Sequence, residues 1–364
     1  MYSRELLAIK KSNRYRKREI EDQDLIDFAS NDYLGFSEKK LLLGKAFENL
    51  QSFGSHAPKS SQLVNGYHPV HKDFEDYLCE INGFSSAIVV GSGFLANFAL
   101  IETLPRKKDL LILDEEYHAS GILASKTVGA QVKYFKHNDM EDLENIIKNS
   151  DAKRVIVAVE GIYSMSGDLV KKEVFYLCEK YKFLLIVDEA HSVGVVGKNL
   201  LGVFDLFDIR PTKYHIKMGT LGKALGSYGA YILCSSDISE YLLNRAKALI
   251  YTTAPSLFDI ELAKQGFFYL RENRNSLISK IRDRKKIIKK FFNYDMDGLI
   301  FHCQPNSSQD VVALKNRLKE IGFIVGAIRP PTVKVPILRI IPRINIDNKE
   351  FERLCKYLAS EVIK

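Results

Sequence analysis

The chain has 364 residues, 46% hydrophobic and 27% charged, with Lys and Arg outnumbering Asp and Glu by 53 to 45. This composition excludes a disordered or fibrous chain and allows a large globular core. No apolar run approaches the ~18 residues that span a membrane, and the charged N-terminus lacks the apolar core of a signal peptide, so cytoplasmic residence is expected.

The first residues predict a charged amphipathic helix through about Arg18. A short strand over 25–29 and the turn Asn31-Asp32-Tyr33-Leu34-Gly35 follow. From about Ser86 short apolar runs alternate with helical patterns, the signature of a mainly parallel sheet. Strands are expected at 87–90, 109–113, 132–135, 154–159, 183–187, 214–219 and 229–234, with helices at 93–104, 139–148, 170–180 and 238–249. Asp139 is a fitting N-cap, with acidic residues in the first turn behind it. After Tyr251-Thr252-Thr253-Ala254-Pro255 a polar, basic helix over 256–290 is expected, then strands near 298–301 and 336–341 and a last helix from Asn348. The expected organisation is an N-terminal arm and helix over 1–45, a large α/β domain over 46–255, and a helix plus small α+β domain over 256–364.

The chemistry concentrates where two apolar runs stop. Asp188-Glu189-Ala190-His191 ends one, and Gly219-Thr220-Leu221-Gly222-Lys223-Ala224 ends the other. A carboxylate, an imidazole and a primary amine thereby reach the carboxyl ends of strands, the edge where open α/β sheets hold ligands. An acid to keep a pyridine nitrogen protonated and a lysine to bond an aldehyde are what a pyridoxal phosphate enzyme needs. Lys223 lies among glycines and small residues, so nothing bulky crowds its amine. His191 is placed to reach a phenolic oxygen on the ring, and His118, after the run ending near Leu113, to stack on its face. Ser92, Gly93 and Phe94 open a helix whose amides suit a phosphate, and Thr220 adds a hydroxyl.

Other readings of these letters fail. Gly91-Ser92-Gly93-Phe94-Leu95-Ala96, with Asp114 ending the next run, matches a dinucleotide fingerprint but leaves Asp188, His191 and Lys223 without a task. Asp188 to His191 also spell a helicase box. A helicase needs a P-loop, and the three Gly-Lys pairs are followed by Ala46, Asn199 and Ala224 rather than Ser or Thr. Eight histidines form no H-E-x-x-H, and five scattered cysteines form no C-x-x-C, so no metal site is expected. The net charge of +8 suits anionic ligands such as phosphates or acyl thioester carriers. No basic-aromatic run marks a nucleic-acid face.

These residues resemble the α-oxoamine synthases, fold-type I pyridoxal phosphate enzymes that condense an amino acid with an acyl thioester and release CO2. The motifs are Ser30-Asn31-Asp32-Tyr33-Leu34-Gly35, Ser92-Gly93-Phe94-Leu95-Ala96-Asn97, His118-Ala119-Ser120, Glu160-Gly161-Ile162-Tyr163-Ser164-Met165-Ser166-Gly167-Asp168, 187–197, 219–226 and Ile250-Tyr251-Thr252-Thr253. Ala327-Ile328-Arg329-Pro330-Pro331-Thr332-Val333, with Gly93-Phe94, is similar to the branch that joins L-alanine to a pimeloyl thioester of coenzyme A or acyl carrier protein. Condensation of glycine with acetyl-CoA is the alternative.

The resemblance implies a fold-type I transferase: a mainly parallel seven-stranded central sheet with helices on both faces, and a smaller α+β C-terminal domain. It implies that Lys223 carries pyridoxal 5'-phosphate, that Asp188 pairs with the ring nitrogen, and that His118 stacks on the ring and faces substrate. His191 and Ser164 would bond the polar edge of the cofactor, with Gly93, Phe94 and Thr220 at its phosphate. Arg329 would take the amino-acid carboxylate with Thr332 nearby, and Arg16 the far end of the acyl chain, with Arg14 and Arg18 as close alternatives. A homodimer is implied, with Thr252 or Thr253 reaching the partner's phosphate. Ser60-Ser61-Gln62-Leu63-Val64-Asn65-Gly66 and Lys334-Val335-Pro336-Ile337-Leu338-Arg339 depart from the usual family pattern and leave the acyl donor open.

Overall fold

The computed structural model describes residues 1–12 and 14–362, arranged as two compact units. Residues 13, 363 and 364, which the expected domain ranges include, lie outside the described residues. The larger unit comprises Leu34–Ser164 and Asp168–Ser279; the smaller comprises Met1–Tyr33, Met165–Gly167 and the chain from Lys280. Twelve strands are described: β1 (Ile26–Asp27), β2 (Ser86–Val90), β3 (Leu110–Asp114), β4 (Gln131–Phe135), β5 (Val155–Glu160), β6 (Leu184–Asp188), β7 (His215–Thr220), β8 (Ala230–Cys234), β9 (Phe301–Cys303), β10 (Phe323–Ile324), β11 (Gly326–Ile328) and β12 (Ile337–Ile340).

The larger unit is built on a seven-stranded sheet in the order β2-β8-β7-β6-β5-β3-β4. β8 alone runs opposite to the other six strands of this sheet. The strands close to the expected bounds are all present. A parallel sheet is covered on both faces, so its strands read as unbroken apolar runs; Leu110, Leu111, Ile112 and Leu113 are each 0% exposed. Helix Gly93–Thr103 buries most of its circumference, with Ala96, Ala99, Leu100 and Ile101 packed into the same apolar cluster as Leu111, Leu113 and Ile186. Asp139 caps helix Met140–Lys148, its carboxylate accepting from the Glu141 and Asp142 amides.

Parallel register fixes the chemistry of one sheet edge. β5 and β6 pair Glu160 with Asp188, and β6 and β7 pair Asp188 with Met218. Because β3, β5, β6 and β7 run the same way, their last residues, Asp114, Glu160, Asp188 and Thr220, all arrive at the carboxyl edge.

Three local expectations are corrected. The helix expected through Arg18 stops at Lys11 and buries none of its residues, so no packed apolar face favours a longer one. The helix expected over 238–249 is two, Ser236–Arg245 and Lys247–Ile250, because Ala246 takes extended backbone between them. The strand expected near 298–301 begins at Phe301, where pairing with β12 begins.

The smaller unit holds the antiparallel sheet β11-β12-β9 and a parallel pair, β1 with β10. That pair, Ile26 opposite Phe323, attaches the N-terminal segment to the C-terminal one. Phe28, Phe323, Phe351 and Leu338 form the core of this unit, and Arg343 binds Asp27 and Asp32 at 3.2 and 2.9 Å. Among the described residues, no helix is long and apolar enough to cross a membrane.

Candidate active site

A cavity of about 320 Å³ opens at the carboxyl edge of the large sheet. Gly93, Phe94, His118, Asp188, His191, Thr220 and Lys223 all line it, so seven of the expected site residues converge although 130 positions separate Gly93 from Lys223.

One end of the cavity is formed by the start of helix Gly93–Thr103. Ser92 is its N-cap, its hydroxyl accepting from the Leu95 amide at 3.3 Å. A Cβ on Gly93 would lie 2.6 Å from Thr220 Cγ2, so only glycine lets Thr220 stand this close to the helix start. Thr220 Oγ1 is buried and has no hydrogen-bond partner among the described residues. A buried hydroxyl normally has one. An unsatisfied hydroxyl beside the first amides of an 11-residue helix is the donor set an oxyanion needs. The Phe94 ring, 48% exposed, stacks on Phe98.

Asp188 is 4% exposed, and both oxygens are held: Oδ2 accepts from Asn97 Nδ2 at 2.8 Å and Oδ1 from the Ala190 amide at 3.0 Å. Lys223 Nζ lies 2.7 Å from Nε2 of the buried His191. Lys223 follows β7 in a turn where Gly226, at φ +61, passes against the Phe36 and Ser37 backbone too closely for any side chain. His118 caps helix Ala119–Ser125, with Nδ1 2.7 Å from Ser120 Oγ. Burial lowers the pKa of His118, Asp188 acts against that, and Lys223 adds to it.

Glu160 and Asn97 also line the cavity, and the sequence reading did not single them out as site residues. Glu160 is 1% exposed, with Oε2 accepting from the Ser164 amide at 3.0 Å. Burial pushes its carboxyl well up, and the neighbouring Asp188 reinforces this. The signal for Glu160 was present: like Asp188, it is an acid ending an apolar run. Asn97 was legible as a lone amide inside an otherwise apolar helix. Tyr228, 60% exposed, completes the mouth.

The remaining expected residues lie elsewhere. Ser164 is buried in the larger unit, outside the cavity lining, and Thr252 and Thr253 follow helix Lys247–Ile250, also outside it. Arg16, Arg329 and Thr332 belong to the smaller unit, where Arg16 Nη2 donates to Thr332 Oγ1 at 3.2 Å. Arg339 of β12 was not singled out as a site residue. It is buried in that unit and donates to Asn31 Oδ1 at 3.0 Å.

Residues 23–358 match the family model described as aminotransferase class I and II. An 8-amino-7-oxononanoate synthase of Helicobacter pylori is 45% identical over 93% of this chain and 92% of its own length. The crystal structure of an 8-amino-7-oxononanoate synthase from Francisella tularensis is 28% identical, covers 94% of this chain and 98% of its own, and superposes with a TM-score of 0.75. A serine palmitoyltransferase from Sphingomonas wittichii, 23% identical, covers 99% of this chain and 97% of its own with a TM-score of 0.89, which establishes likeness of fold.

Proposed function

We propose, for a chain that belongs to the aminotransferase class I and II family, that it joins L-alanine to a pimeloyl thioester of coenzyme A or an acyl carrier protein. The products are 8-amino-7-oxononanoate, CO2 and the free thiol, a step of biotin synthesis. The observation that carries the chemistry is the meeting of Lys223, Asp188, His191 and His118 in one cavity. The choice of substrates is supported by the 8-amino-7-oxononanoate synthases to which the chain is similar.

The cofactor is pyridoxal 5'-phosphate, which when bound supplies an electron-withdrawing ring that stabilises negative charge on the amino-acid Cα. Its fit is supported by the unsatisfied Thr220 hydroxyl and the Gly93 cradle, which suit the phosphate. Asp188, fixed by two donors, would hold a proton on the ring nitrogen, and Lys223 would hold the cofactor covalently. His118 would cover the ring face, with His191 and Ser164 at its polar edge.

Lys223 is the base in this reading. With the amino acid bound, its Nζ takes the Cα proton and later returns one to the same carbon, with His191 Nε2 within hydrogen-bond distance of the amine at 2.7 Å. Alanine Cα then forms its bond to the thioester carbonyl carbon, the thiol leaves, and the original carboxylate departs as CO2. Arg329 takes the substrate carboxylate in a two-pronged bond that suits guanidinium. Thr332 stands beside it, and Arg16 takes the distal carboxylate of the pimeloyl chain. The enzyme works as a homodimer, with Thr252 or Thr253 serving the partner's phosphate site.

The test is mass spectrometry of products from the cofactor-loaded protein given alanine with pimeloyl-CoA, or glycine with acetyl-CoA. Formation of 8-amino-7-oxononanoate at the faster rate supports the proposal. Preferential formation of 2-amino-3-oxobutyrate, or no product from either pair, contradicts it.

A further inference from the structure

We infer that Asn97 is a positioning residue whose amide ties the Asp188 carboxylate to the His118 ring and sets His118 with its proton on Nε2. The inference rests on the reading above, in which both residues serve the cofactor. Asn97 is 1% exposed on helix Gly93–Thr103, and all of its polar capacity is directed. Nδ2 donates to Asp188 Oδ2 at 2.8 Å and to Ser120 Oγ at 3.0 Å, which engages both amide hydrogens. Oδ1 accepts from the Tyr117 hydroxyl at 2.7 Å. Turned over, the amide would set a carbonyl oxygen against a buried carboxylate, acceptor facing acceptor. Asp188 therefore dictates the orientation of Asn97.

The direction then propagates. Ser120 Oγ receives a hydrogen from Asn97, so its own hydroxyl hydrogen is available for His118 Nδ1 at 2.7 Å. The Ser120 backbone N–H also points to Nδ1, at 3.3 Å. Two donors on one ring nitrogen make it the acceptor, and the single proton of a neutral imidazole goes to Nε2. Burial favours that neutral ring, against the pull of Asp188 and with the help of Lys223. His118 thus offers the cavity a hydrogen-bond donor at Nε2, and the chain of bonds that sets it runs through Asn97 and Ser120 to the Asp188 carboxylate.

The test is nitrogen-15 NMR of the histidine-labelled, cofactor-loaded protein, with the His118 signals identified by their loss in His118→Asn. The expected wild-type spectrum has an unprotonated, hydrogen-bonded Nδ1 and a protonated Nε2 near neutral pH. Ser120→Ala is expected to move the Nδ1 signal toward that of a nitrogen with a weaker donor while cofactor affinity changes little. Asn97→Asp is expected to move the same signal and to weaken cofactor binding roughly 10-fold or more, since a bond to a charged group is lost and a like charge added. A protonated Nδ1 in the wild type overturns the inference. So does an Nδ1 signal unmoved in Ser120→Ala, a variant mild enough to fold where Asn97→Asp does not. Wild-type protein with the expected His118 signals but no 8-amino-7-oxononanoate keeps the coupling and overturns the functional reading instead.

Discussion

Two acid–lysine sets lie almost side by side in this chain, and their surroundings differ completely. Asp188 and Lys223 face the cavity; Glu189 and Lys217, one and six residues away, do not. Glu189 and Lys217 are both 0% exposed, 3.9 Å apart, and enclosed by protein partners. Glu189 accepts from the Val203 amide at 2.9 Å, from the Phe204 amide and from the Ser192 hydroxyl, while Lys217 donates to Asn82 Oδ1 at 2.7 Å and to the Leu201 carbonyl. Burial pushes the Glu189 carboxyl up and the Lys217 amine down, yet every hydrogen bond around them favours the charged form. Residue type therefore separates nothing here. A charge enclosed by protein partners serves the fold; a charge whose surroundings leave one side open to a cavity is available to a ligand.

The comparison breaks most sharply at the lysines. Lys223→Ala is expected to abolish product formation with thermal stability near that of the wild type, measured by product assay and calorimetry. Asp188→Asn should fold and bind substrate while kcat falls roughly 100-fold or more, because a neutral amide no longer stabilises charge at the ring; steady-state kinetics read this directly. Lys217→Met should do the reverse. It leaves Glu189 buried without its counter-charge, a loss of about 3–5 kcal/mol in urea unfolding, with kcat of the folded protein retained.

A smaller effect sharpens the same contrast outside the cavity. His137 bridges Asp114 at 2.9 Å and Asp168 at 3.0 Å. Burial opposes its charge, but the hydrogen bonds to the two carboxylates prevail and raise its pKa from 6.5 to about 10. A raised folded pKa means that the bridge contributes fully below pH 6.5 and loses its contribution as pH climbs toward about 10. The difference in melting temperature between wild type and His137→Gln should accordingly narrow across that range.

How much of this was legible follows from the same distinction. Strand ends were readable because an apolar run that stops at an acid marks both the sheet and its edge, as at Asp188; Glu160 carried the same mark. Lys223 was readable from the small residues around it. Strand order was not, since nothing in the letters states that β8 turns back between β2 and β7. Hydrogen-bond direction was not legible either. Asn97 reads as one amide in an apolar helix, and only its three partners' positions reveal which way it points. The end of the N-terminal helix escaped for the opposite reason: its pattern is helical, but none of its residues is buried.

The most direct test of the contrast is to fix the cofactor where it sits. Borohydride reduction of the cofactor-loaded protein, followed by proteolysis and mass mapping, locates the lysine that carries the pyridoxyl group. The account predicts that mass on the peptide containing Lys223 and none on the peptide containing Lys217. A modified Lys217, or no modified lysine at all, would contradict it.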